Sequence, residues 1–332
     1  MALNIKALPA NHGDCFVIED TSDGYILVVD CGLKITYQNH LRKIVQKADT
    51  LILTHIDEDH ILGAIPLIES IPESFKLGDI YFNSPELLKY KVSSGNISVR
   101  QAKQIDQLLL DKGINCLGLI SEQNLNLTSN LKLHIISPRN CDLLELNKSK
   151  FDEDSKSANI SSNNSFNNVM ELSKQKDSYL SISSDLVNAC SIAFILNYKD
   201  KKMLYLADAH PEIIADYIES LGYNEKNKLI VDIVKLSHHG SYKNISDRLV
   251  SFISCDTFWI STNGGKSRSK HPGPSTLAKL ATKVDRNKNC VLTFLFNYSI
   301  EEIESRNGCL MTCEDKQTYK VVLKEQNEVV WL

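Results

Sequence analysis

At 332 residues the chain is long enough for one large domain or two ordinary ones, and 42% hydrophobic with 23% charged residues is the composition of a globular protein, not a disordered or fibrous one. A formal net charge of −4 excludes a general affinity for nucleic acid or anionic lipid, so an anionic substrate has to be drawn by a local site. Nine cysteines without a C-x-x-C pair suit reduced thiols in a cytoplasmic protein; no apolar run approaches the ~18–20 residues of a membrane span, and MALNIKALPANHGDCF reads as strand and turn, not as a signal peptide.

In chain order, Leu3–Leu8, Cys15–Glu19 and Tyr25–Asp30 read as strands, the last two parted by the turn-rich Thr21-Ser22-Asp23-Gly24. A helix is expected over Asn39–Ala48 and a buried strand over Thr50–Thr54. Ile61–Ile71 is apolar enough for a helix against a sheet, and Arg100–Lys112 carries Ile105, Leu108 and Leu109 at helical spacing. Leu131–Ile136 is a further strand. From about 143 to 184 the composition changes. SKSANISSNNSFNN is rich in Ser and Asn and too poor in large apolar side chains to offset its ordering entropy, which predicts a polar, mobile insertion or lid. Order resumes with strands Ser191–Tyr198 and Met203–Ala207, a helix over Pro211–Ser220, strands Val231–Leu236 and Thr257–Ser261, and a helix starting near Pro274. The tail Val291–Leu332 reads as several short strands, clearest at Tyr319–Leu323 and Val329–Leu332. Strands and helices on both sides of an insertion predict layered α/β architecture in one domain, 1–332.

Three stretches carry chemistry. In 53-LTHIDEDHILG-63, His55, Asp57, Glu58, Asp59 and His60 follow a buried strand. Imidazole and carboxylate are good ligands for Zn2+, Mn2+ or Fe2+, and loops at the carboxyl ends of strands are where α/β folds place their sites. The alternative is a solvated acidic loop with Asp59 as a helix cap, which explains one aspartate and neither histidine. In 237-SHHGSY-242, paired histidines before a glycine suit a tight turn that presents imidazoles. In 204-LYLADAH-210, Asp208 ends a strand, where it can bridge two cations or cap the helix at Pro211.

Taken together, His-x-Asp-x-Asp-His, then strand-Asp, then strand-His-His-Gly resembles the metallo-β-lactamase-like hydrolase superfamily. The resemblance extends over most of the chain: 9-PANHGDCFVIE-19 and 27-LVVDCG-32 resemble its opening elements, and 188-NACSIAFIL-196, 238-HHGS-241 and 270-KHPGPSTL-277 most resemble the hydrolase domain of the bacterial DNA-uptake competence channel and its stand-alone relatives. It implies an αββα four-layer sandwich with a binuclear site for Zn2+ or Mn2+. His55 and Asp57 would bind one ion and Asp59, His60 and His239 the other, with Asp208 bridging them. Asp57 stands where most of the superfamily has histidine, and the superfamily's further histidine has no clear counterpart. His134 alternates away from Leu131, Leu133 and Ile135, and Asn188 or Ser191 occupies the region where that ligand would fall.

The implied activity is hydrolysis of a phosphodiester by metal-bound hydroxide. Asp59 would also orient the nucleophile, His238 would support the ligands or contact phosphate, and His271 would contact phosphate or protonate the leaving oxygen. His12 and Asp14 would orient ligands. Nucleic acid is the expected substrate, with Lys243, Lys266, Arg268 and Lys270 as a local basic rim, although no basic stripe interleaved with aromatics is present. Two other readings stay open. One is a small-molecule phosphodiesterase for a cyclic nucleotide or phosphorylcholine-like ester; the other is a catalytically weak regulatory module with a protein partner in a bacterial defence or DNA-processing system.

Overall fold

The computed structural model describes residues 2–71, 75–88, 97–148, 168–265, 270–286 and 290–332. Strand alternation decides which side chains meet. In Leu3–Ala7 the odd residues are fully buried, whereas Asn4 and Lys6 keep partial contact with solvent. This strand pairs antiparallel with Glu328–Trp331 on one side and with Phe16–Asp20 on the other, so the end of the chain completes the sheet that its beginning starts. The sheet continues through Tyr25–Val29, Lys47–Leu53, Lys76–Phe82 and Cys116–Leu117, the last four strands running parallel. A second sheet runs in spatial order Val321–Glu325, Leu292–Phe296, Thr257–Ile260, Ile233–Lys235, Lys201–Tyr205, Ala193–Tyr198, Leu131–Ser137 and Asn124–Asn126.

The two sheets face each other across a dry core. Phe16 sets its ring edge-on to Tyr205 at 5.3 Å and to Trp259 at 5.5 Å, and Phe194 stacks on Tyr205. The opposite face of the first sheet, with Val17, Val28, Leu51 and Leu53, is covered by helices Ala64–Glu69 and Ile97–Asp111. The opposite face of the second sheet, with Leu204, Val234, Phe258 and Phe294, is covered by Pro211–Ser220, Asp247–Ser251 and Pro274–Lys283. Helix, sheet, sheet and helix stack as the expected αββα sandwich. Among the described residues, no helix is long and apolar enough to cross a membrane.

Several boundaries differ from the sequence reading. The helix expected over Asn39–Ala48 begins at Lys34 and ends at Ile44, passing through a π-helical turn at Tyr37–Leu41 that buries both of those residues. Its expected end belongs to the strand Lys47–Leu53, whose ladder with Lys76–Phe82 begins at Lys47. Ile61–Ile71 is two short helices, Glu58–Ile61 and Ala64–Glu69, parted at Gly63, where a Cβ would lie 2.1 Å from the Cys31 carbonyl oxygen. The tail holds helices as well as strands, Ile300–Asn307 and Cys313–Thr318, capped by Ser299 and Thr312.

The expected insertion at 143–184 is packed at both flanks. Leu143 and Leu146 are buried in the helix Asn140–Lys148, and Val169 and Leu172 are buried in Val169–Ser173, which lies against Pro274–Lys283. Apolar pairs three residues apart give these flanks a core face that average composition hides. The centre of the expected insertion, 149–167, lies outside the described residues, as do Lys266 and Arg268 of the expected basic rim.

Candidate metal centre

Strand Lys47–Leu53 ends on Thr54 and His55, and the chain turns into Glu58–Ile61 with Asp57 at the N-cap position. The Asp57 carboxylate makes no capping bond, and Asp59 lies inside the first turn, so capping does not account for either. Asp208 is not a cap either. His210 takes the N-cap of Pro211–Ser220, its ring accepting from the Glu212 N–H.

Three unusual backbone conformations aim the remaining groups. Ala207, His238 and His239 have φ of 46°, 46° and 56°, left-handed values that cost a non-glycine residue on the order of 1–3 kcal/mol each. Gly240, at φ 81°, completes the turn, and a Cβ there would lie 2.8 Å from the Pro272 Cβ. Glycine is thus required where the 238–240 turn docks against the 271–273 turn, whose Gly273 N–H donates to the Gly240 carbonyl. The opening turn presses in from the first sheet: a Cβ on Gly13 would lie 1.8 Å from the Asp59 carbonyl oxygen.

His55, His60 and His239 each spend Nδ1 on the protein and leave Nε2 for the centre. Thr54 Oγ1 donates to Asp30 at 2.8 Å and lies 3.0 Å from His55 Nδ1, from which it can accept. His60 Nδ1 lies 2.8 Å from Asp30 Oδ2, the same oxygen that accepts from Thr54 Oγ1, and His239 Nδ1 lies 2.8 Å from the Ser261 carbonyl oxygen. Such outer hydrogen bonds fix ring orientation in metal sites. Among the described residues, the Nε2 atoms of His55, His60 and His239 are buried without a hydrogen-bond partner.

All three point at one carboxylate oxygen. Asp208 Oδ2 lies 3.9 Å from His55 Nε2, 3.5 Å from His60 Nε2 and 3.9 Å from His239 Nε2, with His238 Nδ1 at 3.8 Å. These distances exceed hydrogen-bond length. They suit a cation between the atoms, since tetrahedral ligands about 2.0–2.1 Å from an ion stand roughly 3.3 Å apart. His55, His60 and Asp208 form one such group, and Asp59, His60 and His239 another, so His60 belongs to both. Asp57 Oδ2 is 3.6 Å from His55 Nε2, and Asp59 Oδ2 is 3.7 Å from His239 Nε2. The six residues singled out as ligands therefore converge, and their donor set and spacing fit divalent ions.

Protonation follows from this crowding. Burial pushes the Asp208 carboxyl up, but His60, His238 and His239 outweigh it and hold Asp208 well below the usual carboxylate range. Burial opposes charge on His60, yet Asp208 and Asp30 outweigh it and raise that imidazole well above its ordinary value. His239 goes the other way: burial keeps it well below the ordinary histidine value. Burial raises Asp59.

His238 and His271 form the rim, their ring centroids 5.4 Å apart, with His271 also 6.3 Å from His239. Burial and the neighbouring His238 and His239 hold His271 well below the usual range, so it is neutral near pH 7. His134 is not part of the centre; its ring nitrogens lie 2.7 Å from Asn124 Oδ1 and 2.9 Å from the Tyr217 hydroxyl. The turn 188–191 adjoins the site, because the Ile192 N–H donates to the Thr54 carbonyl at 2.9 Å. Asn188 Oδ1 and Ser191 Oγ are buried there without hydrogen-bond partners among the described residues.

Residues 8–74 match the family model of the metallo-beta-lactamase superfamily, across the segment that contains Asp14, Asp30 and the 55–60 cluster. Over this segment the chain is similar to the metallo-β-lactamase superfamily. The match carries the superfamily and not the competence-channel branch. Among solved structures, the chain is similar to the metallo-beta-lactamase fold protein YhfI from Bacillus subtilis, at 12% identity over 99% of each chain and a TM-score of 0.46. It is similar to Zn(2+)-bound PqqB from Methylobacterium extorquens, at 10% identity over 100% of each chain and a TM-score of 0.47. It is also similar to unliganded PDE1 from yeast, at 10% identity over 100% of this chain and 99% of that one, with a TM-score of 0.48. No curated protein matches the sequence.

Asp30, which falls in the stretch LVVDCG, is fully buried and holds His60 and Thr54 together. One group of the site escapes a reading by motif: Lys235, also fully buried, ends the strand Ile233–Lys235 behind Asp208. The signal for Lys235 was present as a lone cation inside DIVKLS, an otherwise apolar strand.

Proposed function

We propose that this protein is a metal-dependent phosphodiesterase that holds two divalent ions, Zn2+ or Mn2+, and acts on nucleic acid or another phosphodiester. The observation that carries the reading is the convergence of three unpartnered imidazole Nε2 atoms on Asp208 Oδ2, with Asp57 and Asp59 flanking them. In this assignment His55 and Asp57 serve one ion, Asp59, His60 and His239 serve the other, and Asp208 is shared. Bound ions would supply an activated water at neutral pH and neutralise growing charge on phosphoryl oxygens. Asp59, 3.7 Å from His239 Nε2, would help hold the ion that His239 serves and would be placed to orient a water and take up a proton from it.

The histidine pair at the rim supports a phosphoryl substrate over a neutral one. A neutral His271 donates an N–H to a phosphoryl oxygen, and His238, whose side chain is partly exposed, is placed to protonate the leaving oxygen. Lys243 and Lys270 follow and precede these histidines in the chain and add positive charge on the approach. The test is turnover of a bis-aryl phosphodiester, single-stranded DNA and RNA with Mn2+ or Zn2+. Turnover in the wild type that falls by at least ~10²-fold in Asp59→Ala supports the reading. A metal-loaded wild type that cleaves none of the three contradicts it.

A further inference from the structure

A lysine has no place at the end of an apolar strand unless something holds its charge, because a buried unpaired ammonium is among the costliest groups a fold can carry. Lys235 is fully buried, and four contacts account for it. Its ammonium pairs with Asp14, which is fully buried in the opening turn of the first sheet. It donates to the Ala207 carbonyl oxygen at 3.0 Å, the residue whose left-handed backbone aims Asp208. It also lies 3.9 Å from Asp208 Oδ1 and 5.4 Å from the centre of the Tyr205 ring. One cation thus touches the first sheet, the end of one strand of the second sheet and, through its own strand, the 238–240 turn.

We propose that Lys235 is a positioning residue of the metal centre, its ammonium dividing the two oxygens of Asp208 between separate tasks. Oδ1 faces the ammonium, whereas Oδ2 faces four imidazole nitrogens at 3.5–3.9 Å. The ammonium also neutralises Asp14, whose Oδ1 is 3.6 Å from His239 Nδ1, so that ring stays free to donate to the Ser261 carbonyl and present Nε2. Without the ammonium, five carboxylates, those of Asp14, Asp30, Asp57, Asp59 and Asp208, would crowd one small volume with no fixed cation among them. Asp208 could then turn either oxygen to the centre. The inference rests on the reading of the site as a metal centre and adds a residue to it.

The test compares Zn2+ affinity, by competition with a chromophoric chelator, in the wild type, Lys235→Met and the double variant Asp14→Asn/Lys235→Met. The double variant removes both charges of the buried pair and so covers the case in which Lys235→Met alone does not fold. Both variants are expected to bind Zn2+ roughly 10–100-fold more weakly, the range for groups that orient metal ligands. Wild-type affinity in Lys235→Met, or its full return in the double variant, would overturn the proposal, the latter because Lys235 would then serve Asp14 alone. A wild type that takes up no ion would instead remove the metal centre itself, and this inference with it.

Discussion

An imidazole that gives one nitrogen to the protein has one left for a cation, and in this site the gift is always Nδ1. Asp30 decides that for His60 directly and for His55 through Thr54. Asp30→Asn is therefore expected to lower metal affinity by ~10–100-fold while leaving the sandwich folded, as measured by chelator competition alongside circular dichroism. The charge state of His60 adds a pH dependence. Asp208 and Asp30 overcome the effect of burial and raise His60, so in the metal-free protein it carries a proton through neutral pH. A cation taking Nε2 has to displace that proton, so binding should strengthen as pH rises and release protons. Titration of metal-free protein with Zn2+ in a weak buffer near pH 6.5 reads this directly; uptake without acidification would argue against it. At this scale the candidate ligands were legible because imidazoles and carboxylates clustered after apolar strands have few other uses. Lys235 was not, because it is a single charged residue whose partner Asp14 is distant in sequence.

Turns and strand ends hold those residues in place, and their constraints are steric. Gly13 passes so close to the Asp59 carbonyl that any side chain must displace the 57–60 loop. Gly13→Ala should cost about 3 kcal/mol or more, read in chemical denaturation, and should weaken metal binding in whatever fraction folds. Gly240→Ala meets both a left-handed backbone and Pro272, and the same double loss is expected. Elements with strong periodicity were legible in the sequence, such as Pro211–Ser220, whose bounds match. Elements fixed by distant pairing were not. The strand Lys76–Phe82 carries exposed Lys76, Gly78 and Asp79, and its place comes from its ladder with Lys47–Leu53 rather than from an apolar pattern. The polar composition around 143–184 masked the four apolar residues that dock its flanks.

The two large sheets of the molecule meet with their strand ends over one point, and its stability comes from the apolar interface beneath. Trp259 is fully buried there against Phe16. Trp259→Ala should destabilise the fold by ~3–5 kcal/mol without removing any ligand from the site, so the folded fraction should bind metal as the wild type does. Layered α/β architecture was legible in the order of strands and helices; the αββα sandwich was legible only as what the resemblance of the three motifs to a known superfamily implies. The substrate was not, because it depends on the shape of the approach to the site, which no local pattern encodes. The claim on which everything else depends is that these loops jointly hold two divalent cations. Elemental analysis of metal per chain, after equilibration with Zn2+ or Mn2+ and removal of free ion, tests it most directly. Two ions per wild-type chain, reduced to one or none in Asp208→Ala, is the result expected; none in the wild type, or the same content in both proteins, would contradict it.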